Sequence, residues 1–288
     1  MSDWRLLDHA DLEREYSPSS CVGGDISAFL AAYETESQKA REVAYEHGRE
    51  IVELRYGSAP SQTIDLVTPG DGPALAPLVV YIHGGYWQLL SKHESFFGAA
   101  DFLSHGIAYA AVDYTLAPAA SLDEIVAECR AAVALLRDRA ADYHLDADRI
   151  IVCGSSAGGH LSAMVGHGVD DSGWRPAALG LLSGVFDLEP LITTYINDAV
   201  GLDSEAARRN SPLFGDLAGF PPTVVAVGSN ETDQFKLQSA AMAAAITNAG
   251  GSAELIEVAG RNHFDIVHDL GDRSTRLGEL VLGLTTAR

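Results

Sequence analysis

The 288-residue sequence has little cysteine, little lysine and a marked shortage of positive charge. Its three cysteines, Cys21, Cys129 and Cys153, form no disulfide framework. Lysine occurs only at positions 39, 92 and 236, and no functional reading is attached to that scarcity. No segment approaches the roughly 18 uninterrupted apolar residues of a membrane span. The first 16 residues are charged throughout and lack the apolar core of a signal peptide. Together these absences give an expectation of a cytoplasmic protein with no membrane partner. The balance of 19 basic against 40 acidic residues leaves a formal charge of −21. Phosphate would be repelled by such a chain, which excludes nucleic acid and anionic membrane as expected partners. Repeats, low-complexity tracts and metal-ligand clusters are missing as well, so neither metal nor cofactor is expected. His144, Asp146 and Asp148 have ligand-like spacing but read better as a polar loop entering a strand.

What is present is an ordinary globular composition, 47% apolar and 20% charged. The length suits one α/β domain spanning 1–288. The most informative stretch is Gly154-Ser155-Ser156-Ala157-Gly158. It follows the β-branched run Ile150-Ile151-Val152 and precedes helix-compatible residues to about His167. Strand, sharp turn and helix form the context in which G-x-S-x-G becomes a nucleophile elbow. Ser156 would project above the sheet from a strained turn, with glycines where side chains would collide.

A second motif agrees. The apolar strand beginning at Pro77 ends in His83-Gly84-Gly85-Tyr86-Trp87. Backbone bare of bulky side chains can approach a substrate oxygen, so the N–H groups of Gly85, Tyr86 and Ala157 are candidates for an oxyanion hole, with Gly84 shaping the loop. The remaining partners should follow Ser156 in the order acid, then histidine. Thr223 to Val227 is a strand whose end carries Glu231 and Asp233, either of which can be the acid. The final strand, Ala253 to Val258, leads to a polar loop with His263, the candidate base. His268 falls on the helix that follows. Tyr86 and Trp87 are candidate aromatic surface for the substrate pocket.

Along the chain, residues 1–24 read as extended, within an N-terminal extension and first strand covering 1–60. A helix is expected from Asp25 to about Gly48, and edge antiparallel strands over 50–56 and 63–67. Thr68 to Pro73 is a turn. Strand and helix then alternate, with helices over 93–105 and 121–142 and strands over 107–112 and 177–182, which implies a mostly parallel sheet covered on both faces. Residues 184–221 interrupt that rhythm and read as a small cap insertion.

These motifs resemble the α/β-hydrolase fold, and within it the arylformamidase (kynurenine formamidase) and esterase/lipase-like branch. The resemblance is carried by His83-Gly84-Gly85-Tyr86-Trp87-Gln88 and by the elbow extended to Leu161. Tyr16-Ser17-Pro18, Ser183 to Leu188, Asn210-Ser211-Pro212 and Glu231 to Phe235 with Gln238-Ser239 also resemble family segments. It implies a cofactor-free serine hydrolase of a small ester or amide, such as an N-formyl arylamine, with Ser156, His263 and Glu231 as triad. Glu231 stands where the family commonly has aspartate, and Asp233 is the fallback acid. The alternatives are a carboxylesterase for short or aryl esters and a non-catalytic hydrolase-like binding protein, which a fluorophosphonate would fail to label. A homodimer is compatible with the sequence.

Overall fold

The computed structural model describes residues 3–70, 72 and 74–286. Eight strands form one sheet: β1 (Ile51–Arg55), β2 (Thr63–Val67), β3 (Ala76–Ile82), β4 (Ala108–Val112), β5 (Leu145–Ser155), β6 (Ala178–Leu182), β7 (Thr223–Gly228) and β8 (Ala253–Val258). They lie in the order β1-β2-β4-β3-β5-β6-β7-β8. The pairings β1 with β2 and β2 with β4 are antiparallel, and the remaining five are parallel. In the central strands nearly every residue is apolar because both faces are covered. Leu78, Val80 and Ile82 of β3 enter one core with α4 (Leu122–Asp138) and α5 (Ala157–Gly166). Val79 and Tyr81 face the opposite core with α2 (Ser27–Glu46), α3 (Ala99–Ser104) and α9 (Arg276–Leu284).

Several sequence-based expectations need correction. Met1 and Ser2 lie outside the described residues, and residues 3–24 are not extended: they contain α1 (His9–Glu15), capped by Asp8, and a 3-10 turn over Pro18–Val22. Tyr16 between them is wholly buried, so tertiary packing organises this segment. The helix expected over 93–105 divides into a 3-10 turn at His93–Ser95 and the short α3, with Gly98 packed against Tyr109 between them. Asp146 and Asp148 belong to β5 rather than to a loop. A register irregularity opposite Ala76 and Leu78 lets that strand begin early, and Arg149 pairs with Asp146. Asp71 and Pro73 of the expected turn lie outside the described residues. Among the described residues no helix is long and apolar enough to cross a membrane.

Residues 184–221 connect β6 to β7 through short helical pieces, including α6 (Asn197–Val200) and α7 (Ser204–Arg209). Asn197 staples this connection: its amide donates to the Ile192 and Leu202 carbonyls, and its Oδ1 accepts from the Leu202 N–H. The entry to the segment is held by α8 (Asp233–Asn248), where Gln238 Oε1 accepts from the Phe186 and Asp187 N–H groups at 2.8 Å each.

His160 on α5 anchors the same segment from below. It is fully buried, and its Nε2–H donates to the Asn210 carbonyl at 2.6 Å, which leaves Nδ1 without a partner. Burial lowers its pKa to about 4 from the ordinary 6.5. The unfolded chain therefore takes up a proton first on acidification, and the stability associated with neutral His160 is complete above pH 6.5 and lost as pH falls towards 4. Acidification from pH 8 to 5 should cost about 2 kcal/mol through this residue. Urea unfolding at the two pH values should show this loss, and His160→Gln should shrink it. An equal loss in the variant would remove His160 from the account.

Candidate active site

The site forms where the carboxyl ends of β3, β5, β6 and β7 meet the loop after β8. Ser156 follows the last residue of β5 and has φ 59° and ψ −123°, a strained conformation for a residue bearing a Cβ. Its N–H donates to the Leu182 carbonyl at the end of β6, and α5 begins at the next residue. The backbone crowding explains the motif. A Cβ on Gly158 would come within 2.0 Å of the Ile82 carbonyl oxygen, and one on Gly154 within 2.3 Å of the Gly158 oxygen. Only glycine lets β3, β5 and α5 approach so closely.

Glu231 sits in the loop between β7 and α8 with its side chain wholly inaccessible. Its Oε1 accepts from Ser183 Oγ at 2.5 Å and from the Gly228 N–H at 2.6 Å. Its Oε2 lies 2.7 Å from His263 Nδ1. A carboxylate only accepts, so Nδ1 carries the proton and Nε2 presents a lone pair. Phe235 and Phe264 flank the imidazole at centroid distances of 4.6 and 5.3 Å. Ser156 and His263 line one cavity, with no hydrogen bond between Ser156 Oγ and His263 Nε2. Such bonds commonly tighten only when substrate binds. Asp233, the fallback acid, lies on the exposed surface at the start of α8, away from this network.

The loop after β3 brings Gly84, Gly85 and Tyr86 to the cavity wall. Gly85 has φ +94°, and a Cβ there would collide with the Leu89 carbonyl. Tyr86 and Trp87 also have positive φ, at 48° and 61°. The loop is held in this form by Tyr86 Oη donating to the Tyr16 carbonyl at 2.7 Å, by Gln88 donating to the Ile196 carbonyl at 3.0 Å, and by burial of Trp87. Below it His83 stacks on Tyr114 at 4.1 Å and donates to the Gly84 carbonyl. The backbone N–H groups of Gly85, Tyr86 and Ala157 have no acceptor among the described residues. Trp87 is a correction: it is fully buried, packs edge-on against His160 and does not line the cavity. Its aromatic bulk supports the loop from behind.

The cavity has a volume of about 200 Å³ and a mostly apolar lining. Tyr33, Tyr81, Phe97, Tyr195 and Phe264 provide aromatic walls besides Tyr86. Tyr195 and Ile196 come from the β6–β7 connection, Pro18 and Ser19 from the N-terminal segment. The residues that sequence reasoning missed are supporting ones. Ser183 was visible only as part of a family-like segment, although a polar residue directly after an apolar strand is a recognisable signal. Gly228 acts through its backbone and leaves no side-chain trace. Among the described residues no group of three or more His, Cys, Asp or Glu is arranged to hold a metal ion.

This sheet order, with a serine on a strained strand–helix turn and a buried carboxylate–histidine pair beside it, defines an enzyme of the α/β-hydrolase type. A family model described as BD-FAE matches residues 64–182. The kynurenine formamidase of Danio rerio is 33% identical over 98% of both chains, and that of Salmo salar is 33% identical with the same coverage. A solved protein from Silicibacter sp. TM1040 superposes with a TM-score of 0.82 at 26% identity, over 94% of this chain and 99% of that one. The thermophilic carboxylesterase EstE1 shares the fold with a TM-score of 0.71 at 20% identity, covering 90% of this chain and 97% of its own. The chain belongs to the kynurenine formamidase family and has an arylformamidase or esterase function.

The carboxylate assignment is directly testable. Glu231→Gln should leave the chain folded and lower kcat by about 10⁴, the scale of the comparable substitution in a serine-protease triad. Asp233→Asn should change kcat less than twofold to threefold, since its side chain is exposed. Steady-state kinetics with circular dichroism on both variants decides the matter, and the reverse pattern would transfer the role to Asp233.

Proposed function

We propose that this enzyme cleaves N-formyl arylamines, N-formylkynurenine among them, through a covalent formyl-enzyme. The observation that carries the reading is the Ser183–Glu231–His263 hydrogen-bonded chain, which ends at the cavity where Ser156 stands. His263 Nε2 takes the Ser156 proton as Oγ attacks the formyl carbon. Glu231 keeps the imidazole in the required tautomer and stabilises its cationic form. The carbonyl oxygen, now negative, is received by the N–H groups of Gly85, Tyr86 and Ala157, helped by the N-terminus of α5. Collapse breaks the C–N bond, and His263 donates its proton to the departing arylamine. Water activated by the same histidine then releases formate and restores Ser156.

The aromatic walls support an arene as the leaving group, because flat rings bury well against them. The connection 184–221 acts as the cap: Tyr195 and Ile196 close one side of the cavity and help exclude water. An ester of similar shape would meet the same nucleophile and oxyanion donors. The near-complete alignment with curated formamidases favours the amide.

Purified enzyme should show a higher kcat/KM for N-formylkynurenine than for p-nitrophenyl acetate or butyrate, and it should be labelled by a fluorophosphonate. Ser156→Ala should abolish labelling and lower kcat by on the order of 10⁶, whereas Ser155→Ala should retain most activity. A preference for the butyrate ester would establish the carboxylesterase reading. An unlabelled, inactive but ligand-binding wild type would indicate a binding protein.

A further inference from the structure

The cavity wall carries one carboxylate that the reaction does not use. Glu94 lines the cavity beside Leu89, Leu90 and Phe97, and its Oε2 accepts from Ser91 Oγ at 2.7 Å. No lysine or arginine is found among the described lining residues, and no ion pair reaches Glu94 among the described residues. Glu94 also borders a surface cleft lined by Lys39, Arg41 and His93, and the lysine and arginine there are paired with other carboxylates, Lys39 with Glu36 at 2.8 Å. Arg41 pairs with Asp65 at 2.8 Å, and the buried Lys92 holds Glu53 and Asp65 at 2.6 and 2.7 Å. Glu94 is thus an oriented, half-buried carboxylate with no ion-pair partner among the described residues, on the mostly apolar wall that separates the cavity from that cleft.

We propose that Glu94 is a specificity-determining residue that binds an ammonium group on the side arm of the substrate. The enzyme then selects aryl formamides or aryl esters whose arm ends in a protonated amine over those ending only in a carboxylate. The inference rests on the hydrolase reading of the Ser156 site and adds the charge of the substrate to it. A lone carboxylate in a weakly polarisable wall gains from pairing with a cation and repels an anion. The chain's net charge of −21 acts in the same direction at longer range. An amino acid side arm carries both signs, and its ammonium end would point to Glu94 with its carboxylate towards solvent at the cavity mouth.

The test compares three arms on two reacting groups: aryl formamides and phenyl acetates bearing an aminoethyl, a carboxyethyl or no charged arm, with N-formylkynurenine as a further formamide. Wild-type enzyme should favour the aminoethyl over the carboxyethyl compound by roughly tenfold or more in kcat/KM, and the preference should shrink in high salt. Glu94→Gln, which can keep the Ser91 hydrogen bond, should remove about tenfold of kcat/KM for ammonium-bearing substrates through KM, with kcat and the uncharged compounds unchanged. Glu94→Lys should invert the preference. Equal rates for the two charged arms in wild type, or a uniform loss on all substrates in Glu94→Gln, would overturn the role. If phenyl acetates turn over but formamides do not, the formamidase reading fails, and the charge inference is judged on the esters alone. No turnover in either series would overturn both.

Discussion

The buried Glu231 carboxylate is the interaction around which the site is organised. A charge with no solvent access is costly unless its oxygens are hydrogen-bonded and it faces an opposing dipole or charge. Here the three donors come from three parts of the chain: Ser183 after β6, Gly228 at the end of β7 and His263 after β8. They converge only because β6, β7 and β8 run parallel and in register, so that their carboxyl ends finish at one edge. The Ser183 N–H donates to the Ala226 carbonyl, and a Cβ on Gly228 would strike the Arg261 carbonyl, so these ends are also locked to one another. Misregister in any pairing would strand the carboxylate and misaim the imidazole.

A second constraint is backbone crowding on the other side of the cavity. The elbow, the end of β3 and the loop from Gly84 to Gln88 touch through main-chain atoms, which leaves the N–H groups of Gly85, Tyr86 and Ala157 without an acceptor among the described residues. Three successive positive-φ residues, Gly85, Tyr86 and Trp87, store strain in that loop. Surrounding structure compensates for it: Trp87 is sunk against His160, and Tyr86 is tied to the Tyr16 carbonyl. The N-terminal segment therefore belongs to the active region. Tyr16 Oη also accepts from Gln238, which holds the start of the β6–β7 connection. The loop after β3, the β6–β7 connection and the segment around Tyr16 are thus tied together by hydrogen bonds.

Buried charge is managed differently away from the reaction. The buried Lys92 and Asp65 pair with each other, Asp65 also with the half-buried Arg41 and Lys92 with the solvent-exposed Glu53. That arrangement takes up Arg41 and Lys92 and leaves Glu94 with Ser91 as its hydrogen-bond donor.

By itself the sequence determined the sheet class, the elbow and the glycine loop. Each is a local demand: β-branched runs bounded by glycines, and main-chain approaches so close that no other residue fits. His263 could be placed because the order of elements restricts it to the loop after the last strand. Only the tertiary structure puts Glu231, and not Asp233, against His263. Two residues of separation on a loop turn one side chain into the sheet edge and the other to solvent, and no spacing rule contains that turn. Tertiary packing likewise sent Trp87 into the core, because a positive-φ loop reverses the faces that neighbouring side chains take. It folded residues 3–24 into helical pieces and brought Pro18, Ser19 and Glu94 to the cavity wall. Those placements depend on contacts between segments far apart in the chain, whose energies no local pattern of residues encodes.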